Sequence, residues 1–188
     1  MFIMQNNEVK RCPWCLGSDL YIEYHDKEWG NPVHDDRLHF EFLLLETMQA
    51  GLSWLTILKR RENYRQAFAN FNPHIIAKFD ITNVDELMNN TGIIRNRKKI
   101  EAAISNAGQF LNIQHEYGSF DKFIWSFTGG KVVKSKCKEI NQIGPTSPLS
   151  DIVSKDMKTR GFKFVGSTTI YAHLQAIGVI NDHLVDCF

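Results

Sequence analysis

The two ends of the chain each carry half of a tetrahedral metal site, with Cys12, Cys15 and His25 near one end and His183 and Cys187 near the other. A metal shared between them requires the ends to meet, so every segment in between has to fold as a closed loop. A borderline-soft ion such as Zn2+ takes four thiolate or imidazole ligands, and His183-x3-Cys187 supplies two of them one helical turn or one tight loop apart. Spacing alone offers Cys12-x2-Cys15 as the other half. Ligand type serves Cys12 with His25 equally well, and the residues leave both open. Chance clustering of terminal Cys and His is the weaker account, and a closed structural site is expected.

The chain has 188 residues, 43% hydrophobic and 12% aromatic, enough for one substantial core and too apolar for a disordered segment. Met1 to Lys10 has no basic opening followed by a long apolar stretch. No run approaches the roughly 18 apolar residues of a membrane span. A soluble, cytoplasmic protein without membrane contact is expected. Cysteines at 12, 15, 137 and 187 then read as metal ligands or reduced thiols rather than disulfides.

The net charge of +1 conceals an uneven distribution. Residues 91–163 hold 13 Lys+Arg and 6 Asp+Glu, a local excess of 13 − 6 = +7. Its clusters are Arg95, Arg97, Lys98 and Lys99, then Lys131, Lys134, Lys136 and Lys138, then Lys155, Lys158, Arg160 and Lys163. Such a field suits a polyanion, because neutralising phosphates releases condensed counterions. A solvated lysine-rich face is the competing account.

Apolar residues recur at spacings of three and four with almost no strand-like alternation, so an all-α fold is expected. Helices are expected from about Asp35 to Ala50, from Ser53 through Trp54, Ile57, Leu58 and Tyr64, from Pro73 to Phe79, and from Thr82 to Asn89 under a Thr82/Asp85 capping box. Two more follow from Arg95 to Leu111 and from Phe120 to Phe127, while Gly129 to Pro148 reads as an irregular connection. Nothing divides residues 1–188 into separate domains. A helix pair at about 150–178 flanks Gly161-Phe162-Lys163-Phe164-Val165-Gly166. With Ser167 and Thr168 opening the second helix, its N–H groups can donate to a phosphate oxygen, and Lys163 adds charge. A Gly-x4-Gly between helices is also an ordinary turn.

Trp14, Trp29 and Trp54 fall near Tyr21, Tyr24, Glu28, Glu46 and Gln49. The stretch Leu20 to Gly30 holds too many charges for a buried helix and too many aromatics for a solvated loop, a mixture that fits a pocket wall. Aromatic faces stack on a planar ring while a carboxylate and phenols read its edge, so an electron-deficient or cationic ring binds best. Glu46, one helical turn before Gln49, stabilises positive charge if it is held inside. Asp26, Glu28 and Asp182 are weaker candidates.

Taken together, Arg11 to Trp14, Tyr21 to Gly30, Glu46 with Gln49 to Trp54, Lys59 to Tyr64, Gly92 to Arg95, Trp125 to Phe127, Arg160 to Gly166 and Asn181 to His183 resemble the DNA-3-methyladenine glycosylase I family. That resemblance implies a helix-hairpin-helix base-excision repair enzyme acting on alkylated double-stranded DNA, with free 3-methyladenine as product; for the oligomeric state, a monomer is the default expectation. It implies a structural zinc on Cys12, His25, His183 and Cys187, selecting the second of the two spacing models; Cys15 departs from the pattern. It also implies that Glu46 and Tyr24 contact an extruded base while Trp54 stacks on it, with Trp14, Tyr21 and Trp29 shaping the pocket. Thr168 stands where strand-cleaving relatives carry lysine, so no lyase activity is expected. Asp182 is the nearest match to an aspartate used by many relatives, and Gly51-Leu52 is the candidate wedge into the DNA stack. A non-catalytic, zinc-clasped reader of damaged bases is the alternative.

Overall fold

The computed structural model describes residues 9–188, so most of the Met1–Lys10 stretch and the first eight positions of the expected domain lie outside the described residues. Helices account for most of the described chain: α1 (Asp19–Lys27), α2 (Asp36–Gln49), α3 (Trp54–Leu58), α4 (Arg61–Ala67), α5 (Pro73–Ile76), α6 (Ile81–Asn89), α7 (Arg97–Tyr117), α8 (Phe120–Ser126), α9 (Pro148–Thr159) and α10 (Ser167–Ala176). None is long and apolar enough to cross a membrane. Short polar side chains set most of the starts. Ser18 accepts from Tyr21 N, Asp35 from Leu38 N, Asn96 from Lys99 N and Ser147 from Ser150 N. Each such cap contributes about 1 kcal/mol and fixes where the chain enters the helix.

The centre is α2, whose residues from His39 to Met48 are all buried. A helix buried on every side has to be wrapped, and α3, α7, α8 and α10 pack around it. Glu46 is carried into the interior by this central position. Lys99 of α7 is buried as well, and its Nζ donates to Met48 O at 2.8 Å and Ala50 O at 2.6 Å, satisfying carbonyls that α2 leaves open at its C-terminus.

Two glycines let the N-terminal third cross the C-terminal strap. At Gly178, with φ +69°, a Cβ would stand 2.2 Å from the Asn31 carbonyl carbon. At Gly30, with φ +76°, it would stand 2.8 Å from the His183 ring. The close approach lets Gly30 N donate to Gln175 O at 2.9 Å and Val33 N to Ile177 O at 3.0 Å.

Leu20 to Gly30 is largely the helix α1 under its Ser18 cap, with one face turned to solvent and one buried. Several expectations are corrected. The helix expected through Tyr64 breaks at Arg60 (φ −109°, ψ 1°), which lets Tyr64 bury while its hydroxyl accepts from Ile94 N at 3.0 Å. Asp80, not Thr82, caps α6, because Asp80 and Asn83 close a reciprocal box. The irregular connection holds β1 (Val133–Lys134), paired in parallel with β2 (Ile180–Asn181), so a minimal ladder interrupts the otherwise all-α fold. Part of the basic field is also spoken for. Lys99 is buried, Arg97 pairs with Asp85, and Arg160 pairs with Glu116 and Asp156.

Candidate active site

Between α1, α2, α3, α10 and the 129–147 connection lies a cavity of about 290 Å3, at the small end of the range for ligand pockets. Trp14, Tyr21, Tyr24, Trp29, Glu46 and Trp54, the whole set singled out in the sequence, line it together with Gln49. The rings brace one another. Trp14 meets Trp29 edge-on at 5.0 Å and Tyr21 at 5.4 Å, and Tyr24 tilts against Trp54 at 5.5 Å between centroids. Tyr21 is held from the far side, its hydroxyl accepting from Leu55 N at 3.0 Å. Trp54 Nε1 is buried without a partner among the described residues.

Glu46 is the charged residue of this wall, only 3% exposed. Burial alone pushes its carboxyl up to about 8, because no donor offsets the lost hydration. Burial, and then the neighbouring Glu46, also hold the Tyr24 hydroxyl well above its ordinary range. A carboxyl kept neutral for want of a countercharge, inside an aromatic slot, is a receptor for a planar cation.

Gly51 (φ +80°) and the exposed Leu52 form a tight turn between α2 and α3, in the sequence between the cavity residues Gln49 and Trp54. Gln49 Nε2 closes it by donating to Leu52 O at 2.6 Å. On another face, α9 and α10 pack together around the hairpin. Phe162 and Val165 are its buried anchors. Asn106 of α7 grips Lys163 by donating to its carbonyl at 3.0 Å and accepting from its N–H at 2.8 Å, which leaves the Lys163 side chain exposed. Gly166 gives α10 no side-chain cap, Thr168 is exposed, and Ser167 spends its hydroxyl on Ser150 and Asp151. The N–H groups at the start of α10 are thereby left open to an outside acceptor.

Of the expected metal ligands, Cys12, His25 and Cys187 converge, their donor atoms all within 4.8 Å of one another. Cys187 Sγ is 3.4 Å from His25 Nε2, close to the roughly 3.5 Å that a tetrahedral zinc imposes on a sulfur and a nitrogen ligand. His25 Nδ1 is fixed by Asp26 at 2.8 Å, and Arg11 in turn holds Asp26, an outer shell typical of a ligating histidine. His183 stands beside this cluster rather than in it, its ring 4.7 Å from that of His25 and its Nδ1 bonded to Asn181 at 3.0 Å. Cys15 turns away, its thiol donating to Cys12 O at 3.1 Å. Donor types and spacing fit a soft divalent ion.

Four cavity residues escaped the sequence reading. Ile140, Ile143 and Ala172 are small or apolar and carry no chemical signal. Gln175 carries a polar amide, one of several polar side chains along α10 and not singled out by its neighbours. Asp182 does not line the cavity. It is buried behind the cavity, accepting from Tyr171 and Gln175.

Comparison with known proteins agrees with this site. The family model described as methyladenine glycosylase matches residues 14–188. A DNA-3-methyladenine glycosylase of Haemophilus influenzae is 45% identical over 177 residues, covering 94% of this chain and 96% of its own. A crystal structure of a 3-methyladenine DNA glycosylase I superposes with a TM-score of 0.92 at 47% identity, covering 95% and 98% of the two chains. A variant of such an enzyme in complex with 3-methyladenine superposes at 0.91 with 38% identity, covering 94% and 95%. With nearly its whole length matched in sequence and in fold, the chain belongs to the methyladenine glycosylase family.

Proposed function

We propose that this chain excises 3-methyladenine from alkylated double-stranded DNA by hydrolysing the N-glycosidic bond, as a monofunctional enzyme of base excision repair. The buried Glu46 carboxyl in an aromatic cavity carries the reading. A base cannot be reached inside a duplex, so the nucleotide turns out of the stack into a pocket. 3-Methyladenine attached to its sugar already bears a positive charge. Trp54 and the neighbouring rings stack on that ring, and its charge supplies the countercharge that Glu46 lacks.

The leaving group needs no protonation. As the bond to the sugar breaks, its electron pair passes to the base and neutralises it, while the sugar carbon becomes oxocarbenium-like. Water adds to that carbon and loses a proton. Glu46, ionised by the cation it faces, stabilises the positive charge as it moves from base to sugar. No lysine lines the cavity among the described residues and Thr168 holds the position after the hairpin, which supports hydrolysis without a lyase step.

The helix-hairpin-helix of α9 and α10 grips the DNA backbone through the open N–H groups at the start of α10 and through Lys163, and Gly51-Leu52 fills the space left by the extruded base. A structural zinc is held by Cys12, His25 and Cys187, with His183 beside them as the fourth ligand; it closes the fold and takes no part in the chemistry. The test is release of free 3-methyladenine from methylated duplex DNA by wild type, Glu46→Gln and Trp54→Ala. Release that falls at least tenfold in both variants upholds the reading, whereas binding without release in wild type replaces it with a non-catalytic reader.

A further inference from the structure

The buried face of α7 is apolar except at Lys99, 6% exposed, and Asn106, 2% exposed. Both side chains spend their polar atoms on the backbone of another segment. Lys99 Nζ donates to Met48 O at 2.8 Å and to Ala50 O at 2.6 Å, the carbonyls that lead into the Gly51-Leu52 turn. Asn106 donates to Lys163 O at 3.0 Å and accepts from Lys163 N at 2.8 Å, inside the hairpin between α9 and α10. Seven residues separate the two, so they share one face of the helix, two turns and about 10 Å apart. Arg160, where the hairpin begins, is tied to the same helix through Glu116 at 2.6 Å.

An ammonium or an amide in a core costs free energy that an apolar side chain there would not, and what satisfied polar contacts give in return is a fixed geometry. α7 is a continuous helix of 21 residues, so its two grips set the spacing of the turn and the hairpin. Resting on the function argued above, in which those two segments meet duplex DNA, we propose that α7 is a strut coupling backbone grip to base extrusion. Lys99 and Asn106 are its positioning residues. A hairpin seated on the phosphates then presents Gly51-Leu52 to the base stack at a set offset, and the nucleotide leaves the duplex where the cavity can receive it. With either grip lost, the hairpin still holds phosphate and the cavity still holds a base, but the two no longer act at one distance.

The experiment saturates a duplex with the full chain, the duplex carrying 2-aminopurine beside a stable abasic-site analogue. A side chain that fills the gap unstacks the probe and raises its fluorescence. Wild type gives the rise. Lys99→Met and Asn106→Leu, each checked for thermal unfolding, cut it at least about threefold, while free 3-methyladenine quenches tryptophan fluorescence with an affinity within about twofold of wild type. Lys99→Arg, which can still bridge both carbonyls, recovers most of the rise. Sites about 10 Å apart ordinarily act independently, so their losses multiply; in a strut either break suffices, and the double variant falls no further than the more impaired single one. No rise with wild type, a smaller cut in either variant, losses that multiply, or a parallel loss of free-base affinity overturns the proposal. Release of 3-methyladenine from methylated duplex by wild type is scored separately. A wild type that fills the gap without releasing the base defeats the excision reading alone, and one that releases it while its variants keep the rise defeats the strut alone.

Discussion

Glu46 and His173 are both buried without a described hydrogen-bond partner, and they push stability in opposite directions along the pH axis. Burial raises the folded pKa of Glu46 from 4.5 to about 8, so its contribution is fully present below about 4.5 and is lost as pH rises through 8. Glu46→Gln cannot ionise. In the absence of DNA, the variant should therefore gain on wild type between pH 5 and pH 8, by up to about 4 kcal/mol, in urea unfolding. Parallel stability curves would show that the carboxyl is hydrated after all. His173 is the mirror case. Burial, and then His39, lower it to about 3, so the stability of its neutral form is present above about 6.5 and drains away toward pH 3. Since both its ring nitrogens are unpaired, His173→Met should stabilise by about 1–3 kcal/mol at pH 5 and flatten the acid limb of the same titration.

At the scale of elements, a helix start shows what its N–H groups are for. α1, α2, α7, α8 and α9 are capped by their own side chains, whereas α10 opens at Gly166 with none. If phosphate is the missing partner, Lys163→Ala should weaken binding about equally for all sequences. The slope of log affinity against log salt should fall by about 1, read by titrating a duplex at several salt concentrations. An unchanged slope would take Lys163 off the backbone. Which elements could be read in advance follows from how local their causes are. α2 and α8 begin at caps written within three residues of their starts, whereas α7 runs on past the Leu111 expected from sequence to Tyr117, where Gly118 at φ +84° ends it. The break at Arg60 and the β1–β2 ladder come from partners far along the chain, Ile94 and Ile180, and no local pattern announces them. The aromatic and acidic members of the cavity were legible because such a mixture has few other uses. Ile140 and Ile143 look like any apolar residue until the connection folds over the cavity.

For the molecule as a whole, the organising constraint is the meeting of its ends. Phe188 N donates to Lys10 O at 3.1 Å, Lys10 pairs with Asp186, and Cys12 and Cys187 flank His25 in the interior behind them. A metal at that point would close a loop of nearly the whole chain, and a crosslink of that span restricts the unfolded state in the manner of a long-range disulfide, by about 5 kcal/mol. Burial, and then the neighbouring Cys187, push the Cys12 thiol up to about 11, so the cluster has little reason to hold thiolates unless a cation is there to meet them. Removal of zinc with a chelator should then lower the melting temperature by roughly 10 °C, at about 2–4 °C per kcal/mol for a chain of this size. His183→Ala should move in the same direction. Cys15→Ser should not, because that thiol is turned onto the Cys12 carbonyl. The cavity lies on the other side of α1 from the cluster, with Tyr24 facing one and His25 the other, so the ordering also predicts the functional readout. At temperatures where the stripped protein is still folded, it should bind 3-methyladenine within about threefold of the loaded form and lose activity only as it melts. A metal that instead governs turnover in the folded protein, at full stability, would belong to the chemistry and not to the clasp.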